Sequence, residues 1–203
     1  MMSHYLWTKL PWYIANLGNL RVAPPIAAIL FVWLCARGSW RTGMLYAVAV
    51  IGCMATMFLV KLGFFTGNLR LPALGLENPS GHGAMGAVVY GSLAWVISRE
   101  MPGWRGRTLL VLGCAGVAAI GASLYVLRMH TLPDVLAGLT LGSACAGAFA
   151  WLGCRDKAAL GGSPARLLLV IIIAALSLQS FDLAMRFAPT KHLLFIPSLT
   201  APG

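Results

Sequence analysis

Long apolar runs, separated by short charged stretches, dominate the chain. Three runs of 19 or 20 residues contain no Asp, Glu, Lys or Arg, and these are 42–60, 108–127 and 135–154. An α-helix needs about 20 apolar residues to cross the hydrocarbon core of a bilayer. Each of the three runs is therefore predicted to form a membrane-spanning helix.

Four further stretches complete the pattern. Three are shorter, Val22 to Ala36, Gly83 to Ser98 and Leu167 to Phe181, and arginine side chains at their edges can snorkel to the interface. The fourth, Tyr5 to Leu17, contains two Trp, two Tyr and a Lys, a composition typical of an interfacial helix. We therefore predict an all-α fold, a polytopic bundle of six transmembrane helices plus an N-terminal interfacial helix, with residues 1–203 as one domain.

Composition and charge agree with a membrane protein. The chain is 59% hydrophobic and only 10% charged, whereas a soluble domain is about a quarter charged. The net charge is +10, but the Lys and Arg residues lie at the ends of apolar runs, which favours anionic lipid headgroups over nucleic acid as partners. The five Cys residues have no CxxC spacing, so we expect buried thiols, no disulfide framework, and neither a metal nor a cofactor.

The basic residues also predict an orientation. The loops Arg37 to Arg41, Arg99 to Arg107 and Arg155 to Arg166 lie on one side and hold eight of the fifteen Lys and Arg residues. This positive-inside bias is weak, and it sharpens when three basic residues of the candidate site are set aside. We expect these loops in the cytoplasm of a bacterium, with both termini and the candidate site facing the periplasm or the outside of the inner membrane.

Seven polar residues are expected at that outer face. Ionisable side chains near the lipid are energetically expensive and usually functional. The seven residues are Lys61, Arg70, Ser80, His82, Arg128, His130 and Asp134.

The stretch RMHTLPDVLAG, residues 128–138, predicts a nucleophile or base at the start of a helix. Pro133 suits the first turn of a helix because it lacks the N–H that would be left unpaired there. Asp134 then lies in that first turn, four residues after His130. Its carboxylate can accept a hydrogen bond from one imidazole nitrogen, which leaves the other lone pair free to react.

The stretch NPSGHGA, residues 78–84, predicts a phosphate-binding turn. Ser80 and Gly81 offer a hydroxyl and accessible backbone N–H groups just before a helix, a plausible anion nest. His82 follows them and can donate a proton. Two histidines suit a two-step displacement, in which one attacks phosphorus, the other protonates the leaving oxygen, and Lys and Arg neutralise the transition state.

These two stretches together resemble the type-2 phosphatidic acid phosphatase superfamily over roughly residues 57–140. PSGH occupies 79–82, and HTLPD follows about fifty residues later, with Ser123 also in place. Members of this superfamily are membrane phosphatases and phosphotransferases of lipid phosphates. The resemblance implies that His130 forms a phosphohistidine, that Asp134 orients it, and that His82 protonates the leaving group.

Two positions depart from the superfamily pattern. The arginine of the third motif falls on Leu124, and we expect Arg128, one turn further along a continuing helix, to supply the guanidinium. In the first motif Asn68 stands where an arginine is expected, so Arg70, nine residues after Lys61, is the candidate phosphate-binding residue.

The residues leave several functions open. For a lipid phosphatase, the candidate substrates are undecaprenyl pyrophosphate, phosphatidylglycerol phosphate, phosphatidic acid and a lipid A phosphate, and spacing does not select among them. A phosphotransferase would use the same phosphohistidine. A non-catalytic lipid-binding or flippase-like protein, or a b-type haem protein with two axial histidines, are alternatives from other classes. The oligomeric state is also left open.

Overall fold

The computed structural model describes residues 2–37, 40–67, 74–101, 103–154 and 164–187. These residues form seven α-helices and contain no β-strand. In chain order the helices are α1 Met2–Asn16, α2 Ala23–Ala36, α3 Trp40–Phe65, α4 Gly81–Glu100, α5 Trp104–Val126, α6 Leu132–Gly153 and α7 Pro164–Phe187.

Each helix lies where the apolar pattern predicts one, which confirms the all-α class for the described residues. Three helices, α3, α5 and α6, are long and apolar enough to cross a membrane. Shorter apolar segments occupy Ala23–Ala36 in α2 and Leu167–Ser180 in α7. The count of six crossings and the interfacial position of α1 stay predictions.

The outer faces of several helices expose large apolar side chains. Phe58 on α3 is 66% exposed, Val111 on α5 is also 66% exposed, and Ile173 on α7 is 55% exposed. Apolar patches of this kind are rare on soluble monomers and mark surfaces that meet another apolar phase. Together with the hydropathy of the helices, they indicate a membrane protein.

Helix α4 is the centre of the bundle and packs against α3, α5 and α6. The side of α6 that faces it is built from small residues at intervals of four, Gly138, Gly142 and Ala146. A Cβ at Gly138 would overlap the Ser80 carbonyl oxygen, and one at Gly142 would overlap the Ala84 carbonyl oxygen. Small residues at this spacing let two helices approach closely, so the first turns of α4 and α6 lie side by side.

The two ends of the bundle have different chemistry. At the end of the basic loops, Arg99 Nη1 donates to the Gly153 carbonyl at 3.0 Å and joins the ends of α4 and α6. The ring of Phe149 packs edge-on against Tyr46 and Trp95, with centroids 5.4 and 5.0 Å apart. The opposite end gathers the last turns of α3 and α5 and the first turns of α4 and α6, where the candidate site lies.

Candidate active site

Three hydrogen bonds join the first turn of α6 to the segment that leads into α4. The Ser80 N–H donates to the Asp134 carbonyl at 3.0 Å. The Asp134 Oδ1 accepts from the backbone N–H of Glu77 at 3.1 Å and of Asn78 at 2.8 Å. Asp134 is 3% exposed, so its charge is compensated by these donors in place of water. The two motifs, distant in sequence, therefore form one structural unit.

Both helices begin with a hydroxyl cap. Thr131 caps α6, since its Oγ1 accepts from the Asp134 N–H at 3.4 Å and donates to Asp134 Oδ2 at 2.8 Å. Ser80 caps α4 by accepting from the Gly83 N–H at 3.2 Å. The predicted position of Asp134 in the first turn is confirmed. The Ser80 hydroxyl is fully buried and serves the helix start, while its contact with a phosphate stays a prediction.

His130 lies in the turn between α5 and α6. Burial and then the Lys61 charge hold the pKa of His130 below its ordinary value, against the opposing effects of Asp134 and of a hydrogen bond to the Asn78 backbone. A neutral imidazole has one ring nitrogen that carries a proton and one with a free lone pair, so the neutral form of His130 is the one that can attack an electrophile.

The link between Asp134 and His130 differs from the direct hydrogen bond that the spacing suggested. The Asp134 oxygens accept from the Asn78 and Glu77 N–H groups and from the Thr131 hydroxyl. The charge of Asp134 acts on His130 electrostatically and raises its pKa, against the larger effect of burial. Its role as the orienting residue stays a prediction.

His82 and Lys61 complete the ionisable group. His82 is the second residue of α4 and interacts electrostatically with both His130 and Lys61. The Lys61 ammonium donates to Asn78 Oδ1 at 2.8 Å. A Cβ added at Gly81 would lie 3.6 Å from Lys61 Cε, which is an ordinary van der Waals distance, so the lysine side chain packs beside the start of α4. The structure thus brings the two predicted histidines and the predicted lysine to one place.

Two cavities flank this group. The polar one has a volume of about 630 Å³ and is lined in part by Glu77, Asn78, Arg128, His130, Thr131 and Asp134. The apolar one has a volume of about 370 Å³ and is lined in part by Leu20, Met54, Phe58, Lys61, His82 and Met85. The Lys61–Asn78 hydrogen bond joins a residue of the apolar cavity to a residue of the polar one.

Arg128 lies just beyond the end of α5, and not on a continuing helix as expected. The helix ends at Val126. The Met129 N–H donates to the Leu124 carbonyl at 3.0 Å and the Arg128 N–H to the Tyr125 carbonyl at 2.9 Å. This is a Schellman motif, in which the residue with positive φ is usually Gly; here it is Arg128, with φ 53°. Leu124 is fully buried, whereas the Arg128 side chain lines the polar cavity.

The sequence analysis did not predict two residues of the site, Thr131 and Asn78, and one candidate lies outside the described residues. Thr131 could have been predicted, because a threonine three residues before an acidic residue is a capping-box pattern. Nothing in the sequence singles out Asn78 except its position directly before PSGH. Arg70, like Asn68, falls in the undescribed segment 68–73. Among the residues that the structure describes, no three His, Cys, Asp or Glu side chains come together as a metal site requires.

The fold and the site together define the class of this protein. It is a helical membrane protein with a polar cavity, and a histidine and an arginine line that cavity beside a buried carboxylate. The chain belongs to the PAP2 superfamily, whose model matches residues 6–157. The resemblance inferred from the two motifs is thereby confirmed. Members of this superfamily are phosphatases, which supports phosphatase or phosphotransferase chemistry for this chain.

One curated relative is an uncharacterized 22.5 kDa protein in the cps region of Klebsiella pneumoniae. It is 28% identical over 137 residues, which cover 64% of this chain and 63% of the relative. The match thus spans a little under two thirds of the length of that relative. No solved structure matches the chain significantly.

Proposed function

We propose that this protein is a lipid phosphatase of a bacterial inner membrane that works through a phosphohistidine at His130. The observation that carries the proposal is the joint between the two motifs, in which Asp134 binds the backbone before α4. That joint supports a single site with His130, His82 and Lys61 within electrostatic reach of one another.

The reaction proceeds in two displacements. The neutral His130 nitrogen attacks phosphorus, the bond from phosphorus to the leaving oxygen breaks, and His82 gives that oxygen a proton. The leaving group is a lipid alcohol for a monoester and a lipid monophosphate for a pyrophosphate. Water then attacks the phosphohistidine, His82 takes a proton from it, the N–P bond breaks, and inorganic phosphate leaves.

Cationic side chains and backbone donors stabilise the transferring phosphoryl group. Lys61 and Arg128 approach from the two cavities, and Arg70 is a third candidate cation. Positive charges placed where negative charge develops are the main source of catalysis in phosphoryl transfer. The start of α4, with Ser80 and Gly81, adds the favourable end of a helix dipole.

The apolar cavity supports a lipid substrate. It adjoins Lys61 and His82 and contains Leu20, Met54 and Phe58, so an acyl or prenyl chain can lie there while its phosphate occupies the polar cavity. The membrane character of the helices and the bacterial relative from a cps region support a bacterial membrane as the location. The site faces the periplasm or the outside in this proposal.

The test is phosphate release by the purified protein from a panel of lipids. The panel comprises undecaprenyl pyrophosphate, phosphatidylglycerol phosphate, phosphatidic acid and a lipid A phosphate, each with and without chelator. We expect release from at least one lipid, unaffected by chelator and lost in His130→Ala. The matched control is His192→Ala, a histidine outside both motifs, which should keep full activity.

Two results would count against the proposal. No release from any lipid would contradict the phosphatase assignment, and strict metal dependence would contradict the mechanism. An added lipid alcohol that captures the phosphoryl group at the expense of release would identify a phosphotransferase instead.

A further inference from the structure

Asn78 contacts two groups of the site, which come from different parts of the chain. Its side-chain Oδ1 accepts from the Lys61 ammonium at 2.8 Å. Its backbone N–H donates to Asp134 Oδ1 at 2.8 Å. It also lines the polar cavity together with His130. One residue therefore connects the end of α3 to the start of α6, beside the histidine turn.

The contact with Lys61 has a specific physical effect. A lysine side chain has several rotatable bonds and loses conformational entropy when it is fixed, so a hydrogen bond that holds it in place has a cost to offset. Among the residues that the structure describes, Asn78 is the one that accepts a hydrogen bond from the Lys61 ammonium. A free lysine at the end of a membrane helix would snorkel towards water. The bond to Asn78 holds the ammonium beside the histidines instead.

The identity of the acceptor matters as much as its position. An amide oxygen is neutral, so it orients the ammonium without cancelling its charge, and the full charge remains available to a phosphate. A carboxylate at position 78 would hold Lys61 more strongly, but it would neutralise the charge and repel an anionic substrate. An amide therefore positions a phosphate-binding lysine better than a carboxylate does.

We propose that Asn78 is a positioning residue, which fixes the Lys61 ammonium relative to the His130 imidazole so that both meet the same phosphoryl group. The effect of Asn78 on catalysis rests on the proposed function. The position of the Lys61 ammonium near His130 can be tested without any measurement of turnover. Asn78 acts through Lys61, which its side-chain amide holds in place.

The first test is a double-mutant cycle on kcat/KM. Asn78→Ala removes the amide and keeps the backbone hydrogen bond to Asp134, so we expect kcat/KM to fall by about tenfold, the size typical of one hydrogen bond to a charged group. In the Lys61→Ala background the same change should cost less than about twofold, because its partner is already gone. Asn78→Asp should not restore activity. The control Thr140→Ala, on the exposed side of α6, should match wild type.

The second test needs no activity. The titration of His130 is followed by NMR in detergent micelles, where releasing or removing the Lys61 charge should raise the pKa of His130. We expect Asn78→Ala and Lys61→Ala to raise it, and the double variant to raise it no further than Lys61→Ala alone. Three results would overturn the inference. The first is an equal loss of kcat/KM from Asn78→Ala in the wild-type and Lys61→Ala backgrounds. The others are wild-type activity in Asn78→Asp and an unchanged His130 titration in Asn78→Ala. Absence of lipid phosphatase activity with the expected titration would overturn only the proposed function.

Discussion

At the scale of single residues, burial and the charge of Lys61 together extend the pH range in which His130 can act as a nucleophile. Burial, followed by the Lys61 ammonium, lowers the pKa of His130. The protonated ring has no free lone pair, so a lower pKa extends the neutral, reactive form towards acidic pH. The pH dependence of the reaction therefore reports directly on this pair.

Removal of the Lys61 charge should shift the acidic limb of the pH–rate profile. In Lys61→Ala the pKa of His130 rises, so the acidic limb of kcat/KM moves to higher pH, in addition to the loss of phosphate binding. Arg105→Gln removes one positive charge at the opposite end of the bundle and should leave the limb in place. A limb that stays fixed in Lys61→Ala would show that the two residues are not electrostatically coupled.

Arg128 occupies a backbone position that suits glycine better. Its φ of 53° is in the left-handed region, which costs a residue with a Cβ roughly 1 kcal/mol or more. Arg128→Gly should therefore raise the stability by about 1 kcal/mol, seen as a higher Tm in detergent. We expect kcat/KM to fall by at least about tenfold at the same time, because a charged phosphate donor is lost. Wild-type turnover in Arg128→Gly would show that the Arg128 guanidinium takes no part in the reaction.

At the scale of the elements, the contact between α4 and α6 holds the two motifs together. A Cβ at Gly138 would overlap the Ser80 carbonyl and one at Gly142 the Ala84 carbonyl. Gly138→Ala and Gly142→Ala should each destabilise the protein by about 1–3 kcal/mol and lower activity, because the start of α4 is pushed away. Denaturation curves and phosphate release measure the two effects.

The matched control lies on the same helix. A Cβ at Gly147 meets nothing within 4 Å, and alanine is the better helix former by about 1 kcal/mol. Gly147→Ala should therefore be as stable as wild type or more so, with full activity. Equal destabilisation by all three substitutions would show that close packing against α4 is not what the glycines serve.

The positions of the helices could be predicted from the sequence, but the residues at which they end and the contacts between them could not. Charge-free runs locate α3, α5 and α6 because lipid excludes charge from the middle of a helix. The end of α5 was missed because its left-handed residue is Arg128, where a glycine would have signalled the stop.

The hydrogen bonds within the site also could not be predicted from the sequence. The spacing of His130 and Asp134 suggested a direct bond, yet the carboxylate accepts from Glu77 and Asn78. Which donors reach a buried carboxylate depends on how α4 packs on α6, and spacing within one motif carries no information on that. The two histidines were predictable because both motifs place them at helix starts on the same side.

At the scale of the whole molecule, we expect the end of the bundle that holds the site to face the periplasm or the outside. Leu74, in the segment before α4, is 59% exposed, and Trp104, at the opposite end, is 72% exposed. In an active cysteine-free background, Leu74→Cys should react with a membrane-impermeant maleimide in intact spheroplasts. Trp104→Cys should react only after the membrane is permeabilised. The reverse pattern would place the site in the cytoplasm.

A covalent phosphoryl group on His130 is the intermediate on which the proposed reaction depends. To trap it, the protein is mixed with a lipid substrate labelled with ³²P in the transferred phosphate and quenched in alkali within milliseconds. Phosphohistidine is stable in alkali and labile in acid, so we expect protein-bound label with these properties, which maps to His130 and is absent from His130→Ala. Turnover that survives in His130→Ala, or label that persists there, would contradict the proposed reaction.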